Sequence, residues 1–203
     1  MKKKEIIWGV LGIILIVMGA FFVANIIHKD KKSTKPVESN ALKVDGKTIK
    51  FKAYRVDMSF FIKVPDTFVM LSEEELKNEY DYNSRPELVF KTSDNLIHIF
   101  ITTTDDELLD ENVLEYGNNQ ASSLTNVELI TAKGYKKFDK SFFKLEFNDQ
   151  SDGGLYRDIR FFSLNNKLVT VEFNINKNDY KKWKKVSDKI LDSICFNEKD
   201  IKK

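Results

Sequence analysis

Cysteine is almost absent from this chain, because Cys195 is the only one among 203 residues. A lone cysteine cannot form an internal disulfide, and its isolation is compatible with a reducing compartment or with an exported protein of a bacterium that avoids thiols. The chain also lacks a nucleophile elbow, a phosphate-binding loop and a zincin helix. We therefore predict that the protein is not an enzyme and that it holds no cofactor and no metal.

Most of the chain also has no net charge, because its acidic and basic residues balance. The formal charge of the whole chain is +2, and residues 1–27 supply all of it through three lysines and one glutamate. The remaining residues, 28–203, carry 30 basic and 30 acidic side chains. A neutral domain gives no electrostatic argument for a nucleic-acid surface, so we predict no nucleic-acid partner.

One long apolar run without charge occupies residues 6–27. A helix of that length, at about 1.5 Å per residue, matches the hydrocarbon thickness of a bilayer. A cleaved signal peptide is shorter and ends at a small-x-small site, whereas Phe22 stands two positions before Ala24. No cysteine lies near the run for lipoprotein processing, and buried core helices rarely lack a polar face. We predict an uncleaved transmembrane helix over residues 6–27, which makes the membrane the first partner.

The lysines on the two sides of this run nearly balance, so the positive-inside rule decides its orientation only weakly. The free amino group adds charge to the first flank, and we favour a single-pass protein of the cell membrane with its C-terminal domain extracytoplasmic. Residues 1–5 would form a short basic cytoplasmic tail, residues 28–45 a flexible tether, residues 46–197 the folded domain and residues 198–203 a polar tail.

Alternating apolar residues predict a series of strands in the domain. Ser72 and Glu75 have the spacing of a capping box, which predicts a helix over residues 73–79. Helical spacing predicts two more helices, over residues 110–124 and 179–194. Short turns between consecutive strands indicate an antiparallel sheet of about six to seven strands covered by helices, in the α+β class. The predicted strands span residues 49–54, 60–64, 88–91, 96–103, 127–132, 141–147, 155–164 and 167–175.

Four short segments of the domain resemble the PsbP/Mog1-like family, and most of all its uncharacterised, membrane-anchored or exported members from Firmicutes. They are Phe-Phe-Ile-Lys-Val-Pro-Asp-Thr-Phe at 60–68, the acidic helix start at 72–75, the segment 80–90 with Ser-Arg-Pro-Glu at 84–87, and 97–104 followed by an aspartate. The resemblance spans residues 58–196. It implies an α/β/α sandwich and an accessory or binding role, since members elsewhere include a photosystem subunit and a binder of the small GTPase Ran. It implies no catalytic residues.

His98 is the only histidine inside the predicted domain, in the middle of a predicted strand. It could act as a general base, alone or with Cys195. A polar sheet residue or a core histidine with its hydrogen bonds satisfied is the favoured interpretation, because no nucleophile motif accompanies it. Cys195 stands between Ile194 and Phe196, which is typical of a small buried apolar residue.

Acidic residues cluster after the fourth predicted strand and at the start of the second predicted helix. Oxygen ligands suit Ca²⁺, but the spacing matches no calcium loop, and acidic residues are favoured at helix starts by the helix dipole. The segment 149–153 also fails the EF-hand spacing. We therefore predict no metal site at either place. The clustered residues are Asp105, Asp106, Glu107, Asp110 and Glu111.

Two basic features could contact a ligand. The lysines of residues 181–189 could touch anionic lipid or wall polymer, although a solvated helix face is the favoured interpretation. Pro86 directs Arg85 into an extended conformation, from which its guanidinium could bind a carboxylate or phosphate. A structural ion pair with a nearby acid is favoured for Arg85, which remains the candidate ligand or partner contact.

The sequence thus predicts a membrane-anchored extracytoplasmic domain that binds an unknown protein or envelope partner. Two alternatives stay open. One is a hydrolase-type enzyme with a site around His98 and the acids near Asp105. The other is a purely structural envelope protein.

Overall fold

The computed structural model describes residues 41–44, 46–57, 59–150 and 154–201. The predicted transmembrane helix and most of the predicted tether lie outside these residues. Within the described ranges, no helix combines the length and the apolar character needed to cross a bilayer. The membrane anchor and its orientation therefore stay predictions.

Two antiparallel sheets form the described domain. The first has three strands in the order β1-β2-β3, namely β1 (Ala41–Val44), β2 (Lys47–Val56) and β3 (Phe60–Pro65). The second has seven strands in the order β4-β5-β6-β10-β9-β8-β7. Its strands are β4 (Val69–Met70), β5 (Leu88–Lys91), β6 (Ile97–Glu107), β7 (Val127–Lys137), β8 (Lys140–Asp149), β9 (Leu155–Leu164) and β10 (Lys167–Asn176). The predicted antiparallel α+β architecture is confirmed.

The helices lie between or after these strands. They are α1 (Glu73–Glu79), α2 (Val113–Ser123), α3 (Tyr180–Leu191) and α4 (Glu198–Ile201), with 3₁₀ turns at Tyr82–Ser84 and Asp110–Asn112. The predicted capping box is present at the start of α1, where the Glu75 amide donates to the Ser72 hydroxyl at 3.3 Å and the Ser72 amide donates to the Glu75 carboxylate at 2.7 Å. This exchange satisfies amides that a short helix cannot satisfy itself.

Successive side chains of a strand point to opposite faces of a sheet, and both faces of the large sheet carry apolar side chains. One face packs against α3 and the three-stranded sheet, and Phe142 and Phe162 lie there with Val186 and Ile190 of α3. The opposite face carries Phe143 and its neighbours and packs against α2. A smaller apolar cluster packs α1 against the face that α2 also covers. Both faces of the seven-stranded sheet are therefore covered.

The folded part extends beyond the predicted boundaries at both ends. Ala41–Val44 falls within the predicted tether, yet it pairs with β2 along its whole length and Val44 is buried. Residues 198–201 fall within the predicted polar tail, yet they form α4, and Ile201 packs against Ala53 and Cys195. Both segments are only four residues long, so one buried apolar side chain in each, Val44 and Ile201, helps to fix the segment without producing a periodic pattern.

The acidic segment predicted as a helix start is also placed differently. β6 continues through Asp105, Asp106 and Glu107, and the following helix begins only after the 3₁₀ turn Asp110–Asn112. Strand pairing explains the difference, because Glu107 lies opposite Lys167 of β10 across an irregular register.

Candidate functional site

His98 is half-buried in β6, on the face of the large sheet that carries Phe100. Its Nε2 lies 3.1 Å from Asn95 Oδ1, and its ring stacks on Phe100 with centroids 5.6 Å apart. Burial lowers the pKa of His98, and the nearby Lys91 lowers it further. The imidazole is therefore held neutral by its surroundings at neutral pH, with its hydrogen bond directed at an amide.

Cys195 lies on the other side of the large sheet. It follows α3 and forms a bridge with Phe61 of β3, while its side chain packs in a cluster with Ala53. Only 1% of Cys195 is exposed, and burial raises the pKa of its thiol. Since alternation directs His98 to the opposite face, the structure does not bring the two side chains together, and the interpretation of Cys195 as a small buried residue is confirmed.

Two of the acidic residues near the end of β6, Asp105 and Asp110, have separate structural partners. The Asp105 carboxylate accepts from Lys167 Nζ at 2.6 Å on the surface. Asp110 accepts from the amide and the hydroxyl of Ser141, which joins the 3₁₀ turn to the start of β8. Among the described residues, no group of three or more histidine, cysteine or acidic side chains is arranged to hold a metal ion.

Arg85 is fixed by a carbonyl and an aromatic ring instead of the ion pair that the sequence favoured. Its Nη2 donates to the Tyr80 carbonyl at 3.4 Å, and its guanidinium lies 5.8 Å from the ring centroid of Tyr82. Tyr82 is 85% exposed, whereas the Nε of Arg85 is buried and has no hydrogen-bond partner. Arg85 and Tyr82 thus lie together at the surface, with the tyrosine ring open to solvent.

The lysines of α3 differ in their exposure, and only some of them face solvent. Lys184 turns inward and pairs with Asp188 at 2.6 Å and Glu146 at 3.3 Å, and Lys189 lies over the ring of Phe51. The exposed part of this face is limited to Lys181, Lys182 and Lys185. The predicted solvated face therefore describes only some of these lysines.

A buried charge network beneath α3 is the feature that sequence reasoning missed. Glu146, Asp158 and Arg160 are at most 2% exposed, and they lie on the sheet face that α3 covers. Arg160 pairs with Asp158, and Lys144 Nζ lies 3.0 Å from Glu146 and 3.0 Å from Asp188. Two hydroxyls complete the network, Tyr156 donating to Glu146 at 2.9 Å and Ser187 donating to Asp158 at 2.8 Å.

Three groups of the network are held in their charged forms, whereas burial raises the pKa of Asp158 in spite of Arg160 and Lys144 beside it. Burial alone would lower the pKa of Lys144 and of Arg160, but the acidic partners together outweigh it and raise both, Asp158 first and then Glu146 and Asp188 for Lys144 and Asp192 for Arg160. Burial would raise the pKa of Glu146, but hydrogen bonds from Lys144 and Tyr156 hold it below its usual value. Pairing and hydrogen bonding thus compensate the desolvation of Lys144, Arg160 and Glu146, as buried charges require.

A cleft of about 420 Å³ opens the network to solvent between β7 and the C-terminal end of α3. Its walls are Lys133, Tyr135, Lys137, Lys144, Arg160 and Asp192. A second cleft, of about 280 Å³, shares Lys137 and Asp192 with the first and adds Lys63 and Lys189. Such an arrangement offers charged hydrogen-bond donors for binding, without a nucleophile paired to a base.

The sequence did contain a pattern that could have indicated this site, namely charged residues two positions apart in two strands. Lys144 and Glu146, and likewise Asp158 and Arg160, share one sheet face by alternation. Alone, such a pattern is typical of a solvated face, and only the position of α3 shows that it is buried.

Comparison with known proteins shows similarity at the level of the fold. No model of a known protein family matches the chain, and no curated protein matches it significantly. Among solved structures, PsbP (CyanoP) of the cyanobacterium Synechocystis sp. PCC 6803 has a TM-score of 0.52 at 12% identity, covering 72% of this chain and 92% of that one.

Two further solved structures are less similar. LpqN, involved in cell envelope biogenesis of Mycobacterium tuberculosis, has a TM-score of 0.45 at 13% identity, covering 66% of this chain and 81% of its own. A putative regulator of unknown function from Pseudomonas aeruginosa has a TM-score of 0.39 at 12% identity, covering 68% and 91%. It is the similarity to cyanobacterial PsbP, together with the observed α+β architecture, that supports a PsbP-like fold for the described domain.

Proposed function

We propose that this protein is a membrane-anchored, extracytoplasmic accessory domain that binds a partner and does not catalyse a reaction. The separation of His98 and Cys195 on opposite faces of the large sheet is the observation that favours binding over hydrolysis. The buried ionisable groups also favour binding, because they are engaged with one another beneath α3, and the one serine hydroxyl described on them, that of Ser187, is fully buried and out of reach of a substrate. The PsbP-like fold is compatible with this role, although fold alone never defines function.

The anchor in this proposal is the apolar run over residues 6–27. Its length suits a bilayer span, and the lysine-rich segment after it would keep the domain close to the membrane surface. Removal of residues 1–27 is expected to release the protein from the membrane fraction of cells.

We propose the feature formed by Arg85 and Tyr82 as a contact with a protein partner. Tyrosine and arginine are enriched among the residues that dominate binding energy at protein interfaces. Here the tyrosine is exposed and the guanidinium is already held above its ring, so binding would order few additional groups.

Site-specific photo-crosslinking in cells tests this proposal. A photoreactive phenylalanine analogue replaces Tyr82 in the full chain, and a matched probe replaces the exposed Asn119 of α2. We expect a discrete adduct from position 82 only, and we expect Arg85→Ala in the same chain to reduce it. Equal labelling from both positions, or an adduct that Arg85→Ala leaves unchanged, would contradict the assigned contact. No adduct at either position would favour the purely structural alternative.

A further inference from the structure

We propose that the 420 Å³ cleft between β7 and the end of α3 binds a phosphate group. Four of its six lining residues are cationic, and Asp192 is the only acidic residue among them. This imbalance stands out because residues 28–203 as a whole are neutral. The site requires no particular membrane orientation and no protein partner, so it extends beyond the proposed function.

Arg160 supplies the floor of the proposed site. Its side chain is only 1% exposed, and its Nε is buried without a hydrogen-bond partner. A buried donor without an acceptor is unfavourable, and a phosphate oxygen is the kind of acceptor that a guanidinium binds best. Because Asp158 pairs with one side of the guanidinium, the cationic group is oriented before any ligand arrives.

Asp192 occupies the position that an external anion would take. Its Oδ1 lies 3.2 Å from Arg160 Nη2, and its side chain is 64% exposed. An exposed carboxylate can swing away into water at little cost, whereas the buried guanidinium cannot move. Asp192 therefore acts as an internal competitor for the anion.

Two lysines of the edge strand complete the site. Lys133 and Lys137 share the strand face of Tyr135, and that face points into the cleft. Lys137 Nζ donates to the carbonyl of Ile194 at 2.9 Å, which fixes this amino group at the end of α3. Burial lowers the pKa of Lys137, so an incoming anion would stabilise its charged form.

The second cleft gives room for more than one phosphate. It shares Lys137 and Asp192 with the first and continues to Lys63 and Lys189. A linear polyphosphate could therefore contact both clefts at once. The same phosphate chemistry is presented by anionic lipid headgroups, and the experiment separates these two sources.

Isothermal titration of the full chain in nonionic detergent with tripolyphosphate at low ionic strength tests the proposal. Lys133→Gln removes one charge from the cleft, whereas Lys136→Gln removes the same charge from the opposite face of β7. We expect Lys133→Gln to weaken binding about fivefold, near the upper range for one exposed ion pair, and Lys136→Gln to have little effect. We expect Asp192→Asn to tighten binding by about the same factor, since it removes the competing carboxylate.

Three results would overturn the proposal: no saturable binding, equal weakening by the two lysine variants, or no gain from Asp192→Asn. Repeating the titration in phosphatidylcholine nanodiscs, with and without phosphatidylglycerol, identifies the source of the phosphate. If lipid headgroups occupy the cleft, phosphatidylglycerol lowers the affinity of the unmodified chain for tripolyphosphate. It lowers the affinity of Lys133→Gln by a smaller factor. A soluble ligand leaves the ratio of the two affinities unchanged, because general repulsion by the anionic disc acts on both chains.

Discussion

The close packing of α2 against the large sheet depends on the absence of a side chain at Gly117. A Cβ at this position would lie 2.1 Å from Cγ of Phe143 and 2.4 Å from its two Cδ atoms, which places it against the face of a fully buried ring. Gly117→Ala therefore forces α2 away from the sheet. The same substitution favours the helix intrinsically by about 1 kcal/mol, so two effects of opposite sign compete.

Steric overlap should win this competition. Overpacking of a filled core costs about 1–3 kcal/mol, and the upper part of that range applies because the phenyl ring has little room to turn. After subtraction of the propensity gain, we expect Gly117→Ala to lower the free energy of unfolding by about 1–2 kcal/mol. For a domain of this size, that corresponds to a fall in Tm of about 2–8 °C.

Urea denaturation of the full chain followed by tryptophan fluorescence measures this effect, and Gly134→Ala is the matched control. A Cβ on Gly134 would lie 2.3 Å from Cδ2 of Leu114, the far end of a flexible and 38% exposed side chain that can turn away. We expect Gly134→Ala to cost less than Gly117→Ala. Phe143→Leu should reduce the cost of Gly117→Ala when the two are combined. A stabilised Gly117→Ala protein would refute this packing of α2.

Three further predictions concern the charge network, a helix cap and the histidine. Asp158→Ala removes the buried partner of Arg160, leaves it only the exposed Asp192, and should cost about 3 kcal/mol in urea denaturation. Adding Arg160→Met should restore part of this loss, and a double variant less stable than Asp158→Ala would contradict the pairing. Ser72→Ala should cost about 1 kcal/mol, with faster hydrogen exchange in α1, and unchanged exchange would argue against the cap. The folded-state pKa of His98 is lowered, so its contribution to stability is present above its unfolded pKa of about 6.5 and is lost as pH falls below that value. Between about pH 8 and about pH 5.5, the unmodified chain should therefore lose more stability than His98→Gln, and an equal loss would show that His98 titrates normally.

Local signals predicted much of this fold. Ser72 and Glu75 define the start of α1 through contacts only three residues apart, and the structure contains the same exchange of hydrogen bonds. Asn165 and Asn166 connect β9 to β10 with positive φ values of 53° and 59°, which is the two-residue turn that asparagines favour. β1 gave no comparable signal, since Ala41–Val44 is too short to show a period and Val44 is its one buried residue.

The candidate site could not be predicted because its contacts join distant parts of the chain. Lys144 meets Asp188 across 44 residues, and Arg160 meets Asp192 across 32. Each side chain alone is typical of a polar strand or helix surface, and burial appears only when α3 crosses β8 and β9. Arg85 shows the same limit, since its extended conformation was predictable from Pro86 but its contacts with Tyr80 and Tyr82 depend on the turn.

Membrane anchoring with the domain outside the cell is the central claim, and cysteine labelling tests it most directly. Cys195 is the only native cysteine and is 1% exposed, so an impermeant maleimide should react with it little. A cysteine at the exposed position of Asn119 reports on the domain, and a cysteine at Lys2 reports on the other end of the predicted helix. We predict labelling of Asn119→Cys in intact cells and of Lys2→Cys only after permeabilisation; the reverse pattern, or protection of both until the cells are opened, would contradict the claim.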